Sequence, residues 1–439
     1  MSPELTTILM LLSLFVLLAG FPLAFGIGTV GLLFGYMTSG SAFLYMIPMR
    51  VVTGTLSTYI FAAVPLFIFM GTMMQTSGVA ERAFNILHKW MGALNGGLAV
   101  ATVALAVLFA ATTGVVGASE TAIGLLAIPS MLKARYSQSL ASGAVCAGGT
   151  LGILIPPSIM LILYAPMAGV SVVQMFAGAI IPGLLLGCSY IIYILIRTAI
   201  TPEIGPAMPA EDRYKFFSKQ SLIDGLKYLV PPAFLVLMVL GSIFFGVASP
   251  TEAGAVGSIA ATLLALLYKR LTWQNFKENC YTTIRVTAMI VFIAIAASLF
   301  TGAFLNAGCG QVITDFLLSL GLGRWGIFIT MLVIILILGM FIDWIGILLI
   351  VVPIFSPMLL SLGFDPLWVG LVVCTSLQIS FLTPPFAYSI FYLKGLDLGL
   401  ELSQMYRGII PFVIVQMVVV ILIIIFPQLC LWVPKLLIG

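Results

Sequence analysis

Long apolar runs dominate the chain, near residues 5–25, 58–76, 96–116, 141–166, 172–197, 226–247, 252–268, 284–304, 325–342, 366–382 and 408–430. A helix of about 20 apolar residues crosses the hydrocarbon core of a bilayer, and no soluble fold hides so many of them. Of the 439 residues, 62% are hydrophobic and only 7% are charged, with a formal net charge of +4. A soluble enzyme, a nucleic-acid binder and a disordered chain do not fit that balance. The chain reads as an all-α polytopic membrane protein of about ten to twelve helices in one bundle. The run from Leu5 to Phe25 is preceded by Glu4 and by no basic residue, so it reads as a retained first span rather than a cleaved signal peptide.

Shorter runs near 27–48, 121–132, 344–362 and 386–396 are interrupted by Pro or Gly. Broken helices and re-entrant hairpins survive at membrane depth only where protein or a water-filled cavity covers the freed backbone groups, so a site is expected at these breaks. Orientation follows from the basic residues. Arg197 to Lys227 carries Arg213, Lys215 and Lys219, and a second basic stretch holds Lys269, Arg270, Lys277 and Arg285. Two spans separate them, so both face one side, which the positive-inside rule makes the cytoplasm. The turn from Ala248 to Gly254 then faces outward. The chain divides into 1–200, a linker at 201–225 and 226–439, with Pro202, Pro206 and Pro209 favouring an extended linker.

The six cysteines, Cys146, Cys188, Cys280, Cys309, Cys374 and Cys430, show no CxxC spacing and read as small buried hydrophobes. His88 is the only histidine and sits in a polar segment that looks like a helix end at the membrane surface.

The two halves share landmarks. Gly148 to Ser158 ends in Ile155-Pro156-Pro157-Ser158, and Ser376 to Phe386 ends in Thr383-Pro384-Pro385-Phe386. A tyrosine follows each double proline, Tyr164 and Tyr392, and farther on Ile181-Pro182 matches Ile410-Pro411. Upstream, Glu120 precedes Pro129 as Asp343 precedes Pro353. Four landmarks in one order indicate two structural repeats. A double proline removes two N–H donors and unwinds the preceding residue, leaving carbonyl oxygens that suit a hard cation such as sodium. Secondary transporters use such unwound segments for the coupling ion and half-helix N-termini for an anionic substrate.

Glu120 and Asp343 lie in apolar surroundings. A carboxylate inside a membrane costs roughly 2.5–3.5 kcal/mol or more, so it faces a cavity or a partner. Each either helps to bind a cation or proton, or caps a short re-entrant helix, Glu120 ahead of the run to Met131 and Asp343 ahead of Trp344 to Pro353. The second role is slightly favoured. Small residues and hydroxyls in Thr112 to Ser119 permit close backbone approach and ion contact, although helix packing explains any single one of them.

These residues resemble the large membrane subunit, DctM type, of tripartite ATP-independent periplasmic (TRAP) transporters. The resemblance is carried by AGGTLGILIPPS at 147–158, ASPTEAGAVG at 248–257, FIDWIGILLIVVPIFSP at 341–357 and QISFLTPPFAYS at 378–389. It implies two inverted repeats with re-entrant hairpins and double-proline unwound helices, forming an elevator-type transport domain that moves against a scaffold. It further implies a sodium-coupled importer of small organic acids in the bacterial inner membrane. The implied partners are a small four-helix membrane subunit and a periplasmic substrate-binding protein, with sodium as coupling ion and no other cofactor. Because Met1 leads almost directly into the first span, the small subunit is expected as a separate chain. The resemblance assigns sodium to Thr113, Gly117, Ser119, Gly149, Gly152 and Pro156 in the first repeat, and to Gly339, Asp343, Ser380, Thr383 and Pro384 in the second. It places the substrate near Glu120, Thr150, Ser158 and Gln378. Glu120 departs from the small or hydroxyl residue expected there and bears on the cation site or substrate preference.

An intramembrane protease fits poorly, since His88 is isolated and the two acidic residues are explained by the repeat. A channel usually draws selectivity from rings of subunits, whereas a duplicated site within one chain favours alternating access. An ion-coupled carboxylate transporter that needs no binding protein is the nearest alternative. For an anionic substrate, Arg50, Arg285 and Lys394 are candidate counter-charges, but each lies near an expected helix end where snorkelling to the surface is favoured.

Overall fold

The computed structural model describes residues 2–18, 21–113, 116–209, 219–384 and 387–438, and these are almost wholly helical. The first half comprises α1 (Pro3–Leu18), α2 (Leu23–Ser39), α3 (Ser41–Val51), α4 (Ala63–Thr76), α5 (Val79–Met91), α6 (Gly97–Thr113), α7 (Val116–Lys133), α8 (Gln138–Thr150), α9 (Ile159–Met167) and α10 (Val172–Ile200). The second comprises α11 (Lys219–Tyr228), α12 (Val230–Phe244), α13 (Pro250–Leu267), α14 (Trp273–Asn306), α15 (Cys309–Ser319), α16 (Gly323–Gly339), α17 (Trp344–Ser361), α18 (Pro366–Leu382), α19 (Tyr388–Lys394), α20 (Leu402–Ile425) and α21 (Gln428–Leu437).

From α4 and from α14 the element order repeats. Each helix ends at a left-handed glycine, Gly78 at φ 69° and Gly308 at φ 76°, a conformation that a side chain disfavours. A short amphipathic helix follows, α5 or α15. In α5 the buried Val79, Ala83, Phe84 and Leu87 share one face, while Glu81 and Lys89 lie off it. Then come a helical hairpin (α6–α7, α16–α17), a broken helix (α8–α9, α18–α19) and a long helix (α10, α20). The landmark prolines recur within these long elements, Pro182 in α10 and Pro411 in α20, Pro129 in α7 and Pro353 in α17.

Seven helices are long and apolar enough to span a bilayer among the described residues, with shorter apolar helices such as Leu23–Ser39, Gly323–Gly339 and Pro366–Leu382 beside them. The expected ten to twelve full spans are thus divided between long helices and shorter pieces. Runs 96–116, 141–166 and 325–342 become hairpin arms and broken helices, and the run 5–25 is cut at Pro22, which stands ahead of α2. The seam also differs from the expected extended linker. Pro202–Ile204 forms one 3-10 turn, and the following strap is tied to the α5–α6 loop by Gly96 N to Gly205 O at 2.7 Å and Met208 N to Gly92 O at 2.8 Å. Residues 210–218, with Arg213 and Lys215, lie outside the described residues. Beyond the prolines, 219–228 is helical, and Trp90 Nε1 donates to Ser221 Oγ at 2.6 Å. The ASPTEAGAVG motif is a capping box: Ser249 N donates to Glu252 Oε2 at 2.8 Å and Glu252 N to Ser249 Oγ at 3.3 Å.

Helices cross where glycine removes the side chain. A Cβ on Gly31 of α2 would sit 2.6 Å from the Phe300 nitrogen of α14. At the crossing of α8 and α20, a Cβ on Gly408 would strike the Ser139 carbonyl, and one on Gly143 would strike that of Gly408. Close backbone approach replaces the hydrophobic drive that lipid does not supply. Gly408→Ala is therefore expected to cost about 1–3 kcal/mol and lower Tm in detergent. Gly241→Ala, which meets no atom within 4 Å, is expected to leave Tm unchanged or raise it. Equal thermal shifts in the two variants would contradict this packing.

Candidate ion and substrate site

The first break begins where α8 stops at Thr150, passes through the 3-10 turn Leu151–Ile153, and ends at Ser158, extended at φ −123° and ψ 133°. Pro156 and Pro157 supply no N–H, so the helix cannot close across them. The Ser158 hydroxyl donates to Ile153 O and bridges the gap from the side. In the second break Thr383 is extended at φ −85° and ψ 133°, and its hydroxyl donates to Ile379 O at 2.8 Å. Pro385 and Phe386 lie outside the described residues. The chain re-enters helix through Ala387 at φ 43°, a left-handed conformation unfavourable for a residue with a Cβ.

The two repeats interlock at these breaks. Past the first, α9 packs against α17 of the second hairpin; past the second, α19 packs against α7 of the first. The tyrosine that follows each double proline reaches into the other repeat. Tyr164 lies on Gly370 of α18, and a Cβ on Gly117 of α7 would stand 3.0 Å from the Tyr392 ring. The turn holding Gly152 packs against α6 and α7, and Pro156 is buried.

Glu120 is fully buried. Its side chain fills the space that a Cβ on Gly149 would take, and its carboxylate faces the buried Ser389 hydroxyl as its hydrogen-bonding neighbour. The capping role expected for Glu120 does not hold, because α7 starts at Val116 and the carboxylate projects from within the helix. In the second repeat a Cβ on Gly339 would overlap Ser380, whose buried hydroxyl is unpartnered among the described residues. Asp343 does take the N-cap position of α17, with extended backbone and its main-chain oxygen accepting from Ile347 N at 3.2 Å. Its carboxylate stands beside the Trp344 and Ile345 N–H groups of the first turn, as the capping role expects. It lines a cavity of about 450 Å³ with Gly117, Tyr388 and Tyr392, closed opposite by Phe25 of α2 and Met289 and Ile293 of α14.

The structure thus gathers Gly117, Ser119, Glu120 and Gly149 around one hairpin end, and Gly339, Asp343 and Ser380 around the other. The Thr113 side chain lies outside the described residues, and Pro384 is exposed in a turn. Of the substrate candidates, the Thr150 hydroxyl donates to Ala147 O at 2.8 Å and that of Ser158 to Ile153 O. Gln378 keeps both buried amide atoms unpartnered. Arg50 is half-buried, with its Nε buried and its guanidinium against Gly302 of α14, whereas Arg285 and Lys394 are exposed. Ser389, Tyr388 and Tyr392 were missed as site residues; only Tyr392 was signalled, as a repeat landmark. Among the described residues no three His, Cys, Asp or Glu side chains cluster. The oxygen donors at the two hairpin ends are therefore hydroxyls, carbonyls and single carboxylates, a set suited to a monovalent hard cation.

Gly149→Ala is expected to destabilise the protein by about 1–3 kcal/mol through collision with Glu120. In an Glu120→Ala background the same change is expected to cost little, because the struck atoms are gone. Thermal melting of the four-member cycle measures the coupling, and additive shifts would contradict the contact.

Residues 10–429 match the family described as "Tripartite ATP-independent periplasmic transporter, DctM component". The chain is 32% identical over 379 residues to the C4-dicarboxylate TRAP transporter large permease protein DctM of Pseudomonas aeruginosa, covering 86% of each chain. It is 30% identical to the protein of the same name from Vibrio cholerae, covering 98% of each. The YdaH transporter of Alcanivorax borkumensis shares the fold, with a TM-score of 0.65, 14% identity and 98% of each chain covered. Matched along nearly its whole length and built on a transporter fold, the chain belongs to the DctM family of TRAP transporter large permeases.

Proposed function

We propose that this subunit translocates small organic acids across the bacterial inner membrane, driven by sodium and delivered by a periplasmic substrate-binding protein, with a small four-helix subunit as membrane partner. One observation carries the reading: each broken helix ends on the opposite repeat's hairpin, so both breaks and both hairpin ends belong to one interlocked body. Such a body can move past α2 and α14 as a unit, which supports an elevator mechanism with the repeats inverted about the membrane plane. Buried oxygens at Glu120, Ser389 and Ser380 support a cation. The N-termini of α7 and α17 both open on the cavity through Val116 and Trp344, and positive helix ends support a carboxylate cargo. The C4-dicarboxylate named for two relatives agrees with that class.

Sodium entering the breaks offsets the cost of their unwound carbonyls and of a buried carboxylate, and so stabilises the loaded body for movement. In proteoliposomes containing the chain and its small subunit, uptake is expected to require an inward sodium gradient and the cognate binding protein. Uptake independent of sodium would overturn the coupling, and uptake without the binding protein would overturn the delivery. Replacing Pro156-Pro157 by Ala-Ala is expected to abolish uptake while membrane insertion persists. If the Asp343 carboxylate also touches the ion, Asp343→Asn is expected to raise the sodium concentration for half-maximal uptake about ten-fold, equivalent to ~1.4 kcal/mol. An unchanged sodium dependence would remove Asp343 from the ion site.

A further inference from the structure

A second cavity, about 260 Å³, lies where the interlocked body meets the scaffold. Arg50 lines it together with the hydroxyl residues Thr55, Thr58, Ser298 and Thr301, and no acidic residue does. Among the described residues, Arg50 Nε and Thr301 Oγ1 are buried without hydrogen-bond partners and Arg50 forms no salt bridge. Its guanidinium is seated by a missing side chain: a Cβ on Gly302 would lie 2.5 Å from one of its terminal nitrogens. A half-buried positive charge beside hydroxyl donors, with no counter-ion among the described residues, offers an anion a complementary seat.

Its position gives the anion a role. Residues 286–293 of α14 line the larger cavity that contains Asp343, and residues 294–301 line the Arg50 cavity. The order is kept on the moving side, from Ile159 to Pro166 and Met167 along α9 and from Trp344 to Leu349 and Pro353 along α17. The two cavities are successive stations of one track between α14 and the interlocked body, centred ~12 Å apart at 1.5 Å per residue. The basic residues Lys269, Arg270, Lys277 and Arg285 gather at the start of α14, which the positive-inside rule sets in the cytoplasm. The Arg50 station therefore lies nearer the outer end.

We propose that Arg50 forms an outer anion site on the scaffold, pairing with the substrate carboxylate when the body stands in its outward position and staying behind when the body descends. This rests on the importer reading above. The pairing adds affinity where cargo is received and withdraws it where cargo is released. Arg50 then acts in loading, not in sodium binding.

The test uses the full chain with its small subunit. With the native cysteines replaced, labelling of Ser298→Cys by a methanethiosulfonate reagent is expected to slow at least five-fold with succinate or lactate present, and chloride at equal ionic strength is expected to have no effect. Arg50→Gln is expected to abolish that protection, Arg50→Lys to retain part of it, and Gly302→Ala to weaken it by displacing the guanidinium. In uptake assays Arg50→Gln is expected to raise KM for the carboxylate about ten-fold without shifting the sodium dependence. Should Arg50→Gln lose its fold, as judged by gel filtration and melting, Arg50→Lys and Gly302→Ala carry the same comparison. Labelling insensitive to both carboxylates, or protection that survives Arg50→Gln, would overturn the site. Protection of Ser298→Cys together with no sodium-driven uptake by the wild type would leave the anion site standing and remove the importer reading.

Discussion

Every peptide group inside a bilayer needs a partner, and this chain meets that demand while breaking two of its helices at membrane depth. The double prolines remove donors at 156–157 and at the matching position of the second repeat, leaving carbonyls that lipid cannot satisfy. The fold answers by crossing over. The helix that continues past each break rests on the hairpin of the other repeat, and protein buries the first unwound segment from Leu151 to Ser158. Glycine makes the crossing possible, since Tyr164 and Tyr392 each occupy a space that a side chain on Gly370 or Gly117 would take.

Chemistry follows from that cover being polar but incomplete. Ser380 and Gln378 are buried with atoms that no group among the described residues engages, and the buried Glu120 carboxylate has the Ser389 hydroxyl beside it, an arrangement that a purely structural core seldom tolerates. Leaving buried polar groups unpaired costs about 1–3 kcal/mol each. A ligand that satisfies several of them at once recovers that cost and locks the two repeats together. On the proposed importer reading, binding and rigidity of the interlocked body are a single event, so that only the loaded form moves.

Much of the fold was legible in the sequence because proline and glycine act locally. The prolines marked both breaks, the order of landmarks announced the duplication, and ASPTEAGAVG is a capping box whose partners lie three residues apart. Features that depend on where two elements meet were not legible. Nothing local to Glu120 shows that α7 begins four residues earlier, or that its carboxylate rests on Gly149. Thr150 and Ser158 looked like free hydroxyls until their main-chain acceptors were in place. Arg50 looked like a surface cation because its seat, Gly302, is 252 positions away, a difference of 302 and 50. The seam misled for a related reason: its prolines govern only the segment to 209, and the residues from Lys219 onward follow their own helical pattern against α5.

The central claim is that the hairpins and broken helices form one body that moves against α2 and α14. Disulfide trapping separates movement within that body from movement at its edge. In a background without native cysteines, Gly124→Cys with Leu393→Cys joins α7 to α19 inside the body, where a Gly124 Cβ would stand 2.8 Å from a Leu393 methyl. Leu23→Cys with Gly346→Cys joins α2 to α17 across the boundary, where the corresponding approach is 2.6 Å. Sodium-driven uptake is predicted to survive the first cross-link and to stop with the second, returning on reduction. Uptake that survives the boundary cross-link, or is lost on joining α7 to α19, would contradict the account.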